Sequence, residues 1–201
     1  MAQYRYIILG AGRQGTAAAY DLARRGDASE VVLADAVLDT AQSSVERVNR
    51  LAGREVASAR ALDVTDRAAL LAALDGADVA LSAVPYMFNL GITRAAIEAG
   101  VSLCDMGGHT GVVQQQLALD PLAQQAGVSV LPDCGMGPGL VNVLAVYVME
   151  LLDDVREVTI YDGGLPQHPE PPWNYRLTFN INGLTNEYDG EVTLLRGGRL
   201  V

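Results

Sequence analysis

The stretch YRYIILGAGRQGTAAAYDLARRG, residues 4–26, carries the reading of the fold. Tyr4 to Leu9 is a short β-rich run that ends in Gly10, and residues 15 to 25 read as an Ala-rich helix with Leu22 on its buried face. Between them lies Gly10-Ala11-Gly12-Arg13-Gln14-Gly15, a GxGxxG sequence. Alone such a sequence is weak, because glycine-rich turns are common. Here it follows a strand and opens a helix, which is the context a dinucleotide-binding turn requires. Gly10 permits the tight turn, Gly12 lets a pyrophosphate approach the backbone, and Gly15 lets helix pack on strand. The phosphates would meet the free N–H groups and the positive end of the helix dipole.

Outward from that turn the pattern repeats. Glu30 to Ala34 is an apolar strand closed by Asp35, 20 residues after Gly15. A carboxylate at that place receives the ribose hydroxyls of adenosine and repels a 2′-phosphate, so the expected cofactor is NAD. Arg13 within the loop is the counter-indication, since it could pair with such a phosphate. Helical stretches follow over 40–51, 67–74 and 90–99, with strands over 56–62, 78–84, 101–105 and 128–132 between and after them. One helix is expected over 114–125 and a long apolar one over 138–152. Strands alternating with helices mean βαβ units and a parallel sheet, and apolar rather than alternating strands mean that both faces are covered. The fold class is therefore α/β, a doubly wound Rossmann domain over residues 1–153.

After Asp153–Asp154 the character changes. Strands are expected over 155–161, 176–181 and 192–195, with a Gly- and Pro-rich loop over 163–173. Residues 154–201, the 48 beyond Asp153, are too few for an independent, well-packed domain. The chain ends on the apolar pair Leu200–Val201, so the expectation is the front part of a longer protein.

Composition narrows the function. Half the residues are hydrophobic and 19% are charged, which is globular rather than disordered. A formal net charge of −10 argues against a nucleic-acid partner, and no apolar run is long enough to span a bilayer. All 14 basic residues are Arg. Mechanisms that need a lysine from this chain are thereby excluded: Schiff bases, pyridoxal phosphate anchoring, the P-loop lysine and the Tyr-x-x-x-Lys pair. Cys104 and Cys134 have no metal-type spacing, no metal is expected, and reduced thiols in a cytoplasmic protein are the simplest reading.

The remaining cofactor candidates sit at strand ends. Asp63 ends the third strand near an expected adenine amine, and a helix cap or turn is its competing role. Ser82, Val84 and Pro85 end the fourth strand over the expected nicotinamide ribose, with Tyr86 next as a catalytic candidate or an aromatic lid over the core. Asp105 ends the fifth strand.

The segments GAGRQG (10–15), AVPYMFN (83–89), CDMGG (104–108), PDCGMGPG (132–139), YDGGLPQHP (161–169) and NYRLTFNINGLTNEY (174–188) run in order along nearly the whole chain. On these segments the chain resembles the saccharopine dehydrogenase-like family, and within it the lysine 6-dehydrogenases. The resemblance implies a Rossmann domain followed by an α+β substrate domain, with the chain continuing well past residue 201. It implies an NAD-dependent oxidation of the CH–NH2 group of an amino acid, with L-lysine as the expected small-molecule substrate and a homodimer as the expected assembly. It places Asp105, Met106 and Gly107 in the cofactor wall. Asp105 is then a candidate for catalysis, with a cap on a Gly-rich turn as the alternative. Tyr175, Arg176 and Asn182 become substrate-domain candidates, Arg176 as a partner for the α-carboxylate. Two departures matter: saccharopine reductases of this family tend to favour NADP, whereas Asp35 argues for NAD, and the second lies at Asn182. Saccharopine reductases of this family carry an Arg where this chain has Asn182 before Gly183, and Asn supplies no charged bidentate grip. That shifts the reading from saccharopine or carboxynorspermidine towards lysine. A packing thiol is expected at Cys134. His109 is either a proton shuttle or a solvated loop residue, and His168 receives no role. A reading of another class remains open, a nucleotide-binding or assembly module without catalysis.

Overall fold

The computed structural model describes residues 3–163, 166–177, 181–186, 188, 195–197 and 199–200. The chain divides into two compact units, Met1–Ile160 and Tyr161–Val201.

The first unit alternates strand and helix in the order β1 (Tyr4–Leu9), α1 (Arg13–Arg25), β2 (Ala28–Asp35), α2 (Leu38–Ala52), β3 (Ala57–Ala61), α3 (Arg67–Leu74) and β4 (Val79–Ser82). A 3-10 turn over Tyr86–Phe88 leads to α4 (Asn89–Ala99), β5 (Ser102–Asp105), α5 (Thr110–Leu117), α6 (Asp120–Ala126), β6 (Val130–Leu131) and α7 (Leu140–Met149). The strands form one six-stranded sheet in the order β3-β2-β1-β4-β5-β6. Every neighbouring pair in it is parallel. The strand order reverses direction between β1 and β4, and the crevice above that point is where an open α/β sheet binds its ligand. The register sets Leu9 beside Ala34 and Ser82, Ser82 beside Asp105, and Cys104 beside Leu131, so the carboxyl ends of the strands share one edge.

Alternation along β1 explains the two cores. Ile7 and Leu9 pack with Leu70, Leu74, Ile92 and Leu103 on one face of the sheet. Ile8 packs on the other face with Val31, Leu33, Ala19, Ala23 and Val48. Small residues at Gly15, Ala19 and Ala23, four apart, form the buried stripe of α1 and let it lie close on the strands. Leu22 is only partly buried at the margin of this stripe.

Three expectations need correction. The helix expected over 114–125 is two helices, because Pro121 sits in the first turn of α6, where its missing N–H is harmless, and would clash inside a continuous helix. Residues 155–160 form no ladder. Their β-branched residues favour extended backbone, but a strand exists only with a partner, and Val158 and Ile160 stay exposed. The strand expected over 176–181 fails at its end, since Ile181 opens a helix, α8 (Ile181–Asn186); residues 178–180 lie outside the described part. Of the strand expected over 192–195, only the end is described, as β7 (Leu195–Arg196) paired antiparallel with β8 (Arg199–Leu200).

α7 differs from the other helices of its unit. Its ten residues, LVNVLAVYVM, include no charge, and none of them is buried. No helix among the described residues is long and apolar enough to cross a membrane.

Candidate functional site

The glycine turn comes first along the sheet edge. The Gly10 N–H donates to the Ala34 carbonyl (2.7 Å) and the Ala83 N–H donates to the Leu9 carbonyl (2.7 Å), so the turn is pinned between β2 and the end of β4. Gly10 has φ +98°, and a Cβ there would lie 2.8 Å from the Ala83 carbonyl oxygen. A Cβ on Gly15 would run into the carbonyl oxygen of Gly10. Gly12 is the exception: it is exposed, and a Cβ would meet nothing within 4 Å. The first and third glycines are therefore required by the packing of the protein itself, and the second is not. No side chain caps α1, so Arg13 and Gln14 begin a helix whose first N–H groups are open to an anion.

Asp35 stands beside this turn. Its Oδ2 accepts from the Ala11 N–H (2.9 Å) and its Oδ1 from the Val37 N–H (3.0 Å). Each carboxylate oxygen offers two lone pairs, so acceptor capacity remains for ribose hydroxyls. Arg13 lines a groove of about 750 Å³ between α1 and α2, together with Thr16, Tyr20, Ser44 and Arg47. Asp63 is engaged locally. Its Oδ1 accepts from the Thr65 N–H (2.9 Å) and hydroxyl (2.7 Å), and these bonds hold its carboxyl below the usual carboxylate range.

At β4 and β5 the structure changes what two candidates can do. Ser82 is buried, and its hydroxyl donates inward to Asn89 Oδ1 (2.8 Å) instead of facing a ribose. Asp105 is 0% exposed. Its Oδ1 accepts from the Gly107 N–H (2.7 Å) and the Asp133 N–H (3.3 Å), and its Oδ2 from Gln116 Nε2 (2.6 Å). A carboxyl so enclosed supports the Met106–Gly108 turn and does not reach a substrate amine. Val84, Pro85 and Tyr86 are half-buried at the rim. The Tyr86 ring stacks on His109, with centroids 5.2 Å apart and planes at 29°. His109 Nδ1 is buried without a partner among the described residues, so His109 is not a solvated loop residue.

Asp133, Asn89 and Gln116 are site residues that reasoning from sequence missed. Asp133 has φ +59°, and its carboxyl lies where a Cβ on Gly107 would be. Its only signal in the chain is a place just before a Gly-rich turn. Burial pushes the Asp133 carboxyl above its ordinary value, and the neighbouring Asp105 adds to this against a hydrogen bond from the Gly108 N–H. A raised folded value means that ionisation costs more in the folded than in the unfolded chain. The contribution is most favourable below the ordinary carboxylate range and is lost as pH rises towards the folded value. Asp133→Asn keeps an acceptor and tolerates the left-handed backbone. It is expected to melt roughly 2–4 °C higher than wild type at neutral pH, with the gap closing in acid. Equal melting curves at both pH values would count against a burdened carboxyl.

Cys104, half-buried on β5, has its thiol pushed up to about 12, first by burial and then by the adjacent Cys134. A thiol held protonated is no nucleophile. Cys134 is exposed, with its Sγ 3.5 Å from the Leu131 carbonyl. Among the described residues no group of His, Cys, Asp and Glu could hold a metal ion. Tyr175, Arg176 and Asn182 belong to the second unit. Tyr175 and Arg176 are exposed in irregular chain, and Asn182 lies in the first turn of α8 rather than after a strand.

Two family models match the chain, the saccharopine dehydrogenase NADP binding domain over residues 6–131 and the saccharopine dehydrogenase C-terminal domain over 135–201. A saccharopine dehydrogenase [NADP(+), L-glutamate-forming] of Schizosaccharomyces pombe is 25% identical over 97% of this chain and 42% of its own length. A carboxyaminopropylagmatine dehydrogenase of Synechocystis is 26% identical over 91% of this chain and 48% of its own. The chain thus spans less than half the length of these relatives. Among solved structures, the apo saccharopine dehydrogenase (L-Glu forming) of Saccharomyces cerevisiae superposes with a TM-score of 0.58 at 27% identity, covering 74% of this chain and 31% of that one.

Proposed function

Because the chain belongs to the saccharopine dehydrogenase family, we propose that it forms the nucleotide-binding part of an NAD-dependent dehydrogenase that oxidises the CH–NH2 group of an amino acid, with L-lysine as substrate. The observation that carries the nucleotide half of this reading is Gly12, a glycine that nothing in the protein requires, set between two that the protein does require. The preference for NAD rests on Asp35 beside that turn, although the matched relatives from yeasts are NADP-linked.

The residues fit the cofactor in kind. The open N–H groups of α1 suit the pyrophosphate, Asp35 suits the ribose hydroxyls, and the rim over β4 to β6 suits the nicotinamide half. Bound NAD supplies a hydride acceptor. The chain must present the substrate amine unprotonated, which for an ammonium of ordinary value about 10.4 needs an apolar wall or an acceptor at neutral pH. Tyr86 and His109 at the rim are the groups offered for this, Asp105 being enclosed. Loss of hydride from the ε-carbon of the neutral amine leaves an iminium ion, and its hydrolysis by water gives ammonium and the 6-semialdehyde, which cyclises. Tyr175, Arg176 and Asn182 belong to the same reading as substrate contacts. So does a homodimer, supported by the uncharged, unburied surface of α7.

A second reading draws on the printed names of the relatives, a dehydrogenase for a secondary amine such as saccharopine. The test is NADH formation with lysine alone and then with saccharopine, using the protein in its full length. Turnover of lysine alone supports the first reading, and turnover of saccharopine alone replaces it with the second. Tight nucleotide binding with neither turnover would leave a module without catalysis.

A further inference from the structure

Five buried polar side chains run beneath the nicotinamide end of the sheet. Ser82, Asn89, Thr93, Asp105 and Gln116 are each at most 2% exposed. Ser82 ends β4, Asn89 and Thr93 lie on α4, Gln116 on α5, and Asp105 ends β5. The bonds are continuous. Ser82 donates to the Asn89 side chain, and the Thr93 hydroxyl donates to the Asn89 carbonyl (2.8 Å). Gln116 Nε2 donates to Thr93 Oγ1 (2.8 Å) and to Asp105 Oδ2 (2.6 Å).

The orientation of Gln116 is informative. Both of its amide protons are used, while its Oε1 is buried with no partner among the described residues. An orphaned buried carbonyl costs free energy, and the flipped amide would set that oxygen against the Asp105 carboxyl instead. The need for a donor at Asp105 therefore overrides the cost of the orphan. Asp105 in turn accepts from Gly107 on its own loop and from Asp133 after β6. The Asp105 carboxylate thus joins one side chain on α5 to the loops after two strands.

We infer that Gln116 is a positioning residue for the nicotinamide half of the cofactor site, acting through Asp105 on the Met106–Gly108 turn and on Asp133. The inference rests on the reading of this edge as a nucleotide site, and only its second readout depends on that reading.

The first readout is hydrogen exchange at the Gly107 and Asp133 amides, which needs no ligand. Gln116→Leu removes both donors and is expected to speed exchange at the two amides by about tenfold or more, with core amides of β1 and β2 unchanged. Gln116→Glu sets a second carboxyl against Asp105. In acid the pair shares a proton and the O–H donates as the amide did; as pH rises the proton leaves and two like charges face each other. Exchange at both amides is expected to be near wild type at about pH 5.5 and at least tenfold faster at about pH 9. The second readout is the NAD dissociation constant, expected to weaken over the same range by about tenfold more in Gln116→Glu than in wild type. The paired exchange Asp105→Asn with Gln116→Glu reverses the polarity of the bond and is expected to recover protection to within about threefold, which a merely structural loss would not allow. Unchanged exchange in Gln116→Leu, a pH-independent Gln116→Glu, or no recovery in the paired exchange would each overturn the role. Altered exchange with unaltered NAD affinity would overturn the link to the cofactor, whichever amine is oxidised.

Discussion

Gly12→Val is expected to weaken NAD binding by at least about a hundredfold, or roughly 2.7 kcal/mol, while leaving the melting temperature within about 2 °C of wild type. The backbone of Gly12 has φ −69° and ψ −168°, which any residue adopts, and the space around its missing Cβ is open. The folded protein therefore loses only the modest N-cap preference for glycine over valine. A pyrophosphate lying against the turn would lose its approach to the N–H groups at the start of α1. The neighbouring glycines give the contrast. Gly15→Ala drives a methyl group into the Gly10 carbonyl, so α1 must move off β1. That variant is expected to lose about 3 kcal/mol or more of stability before any ligand is considered. Thermal melting with and without NAD, and calorimetry, separate the two. A folded Gly12→Val that binds NAD as wild type does would reduce the glycine sequence to a turn.

Replacement of Asp35 is expected to shift the ratio of NAD to NADP affinity by about a hundredfold in favour of NADP. Two terms contribute. The carboxylate makes charge-assisted bonds to ribose hydroxyls, worth about 1.5–3 kcal/mol, and it repels a 2′-phosphate placed at the same atoms. Arg13, in the groove beside the turn, remains to meet the phosphate once the negative charge has gone. Asp35 also accepts from Ala11 and Val37, so Asp35→Ala loosens the turn itself. Asp35→Asn retains acceptor oxygen at that place without the charge and isolates the electrostatic term. Dissociation constants at fixed salt decide it, and an unmutated protein that binds NADP more tightly than NAD would refute the assignment.

Local signals explain how much was legible beforehand. The βαβ alternation follows from apolar runs and helical stretches a few residues long, and six parallel strands result. The glycine turn and Asp35 lie within 26 residues of one another, and the steric demand of such a turn falls on residue type alone. The division of α5 from α6 is equally local, since Pro121 lies inside the single helix expected over 114–125.

Sequence alone determined the sheet, the edge on which its strands end, and the place of the nucleotide turn, because each depends on neighbours along the chain. Only the tertiary structure decided which strand-end groups face out. Asp105 reads as a candidate for catalysis until Gln116, 11 residues on, and Asp133, 28 residues on, close over its two oxygens. Ser82 likewise turns inward because α4 brings Asn89 to it. A polar residue at the end of a strand is free to meet either solvent or a partner. The partner arrives through packing of the helix that follows the strand, and burial without it would cost about 1–3 kcal/mol per orphaned group. That cost, set by contacts the chain order does not display, is what made Asp105 a support for the site.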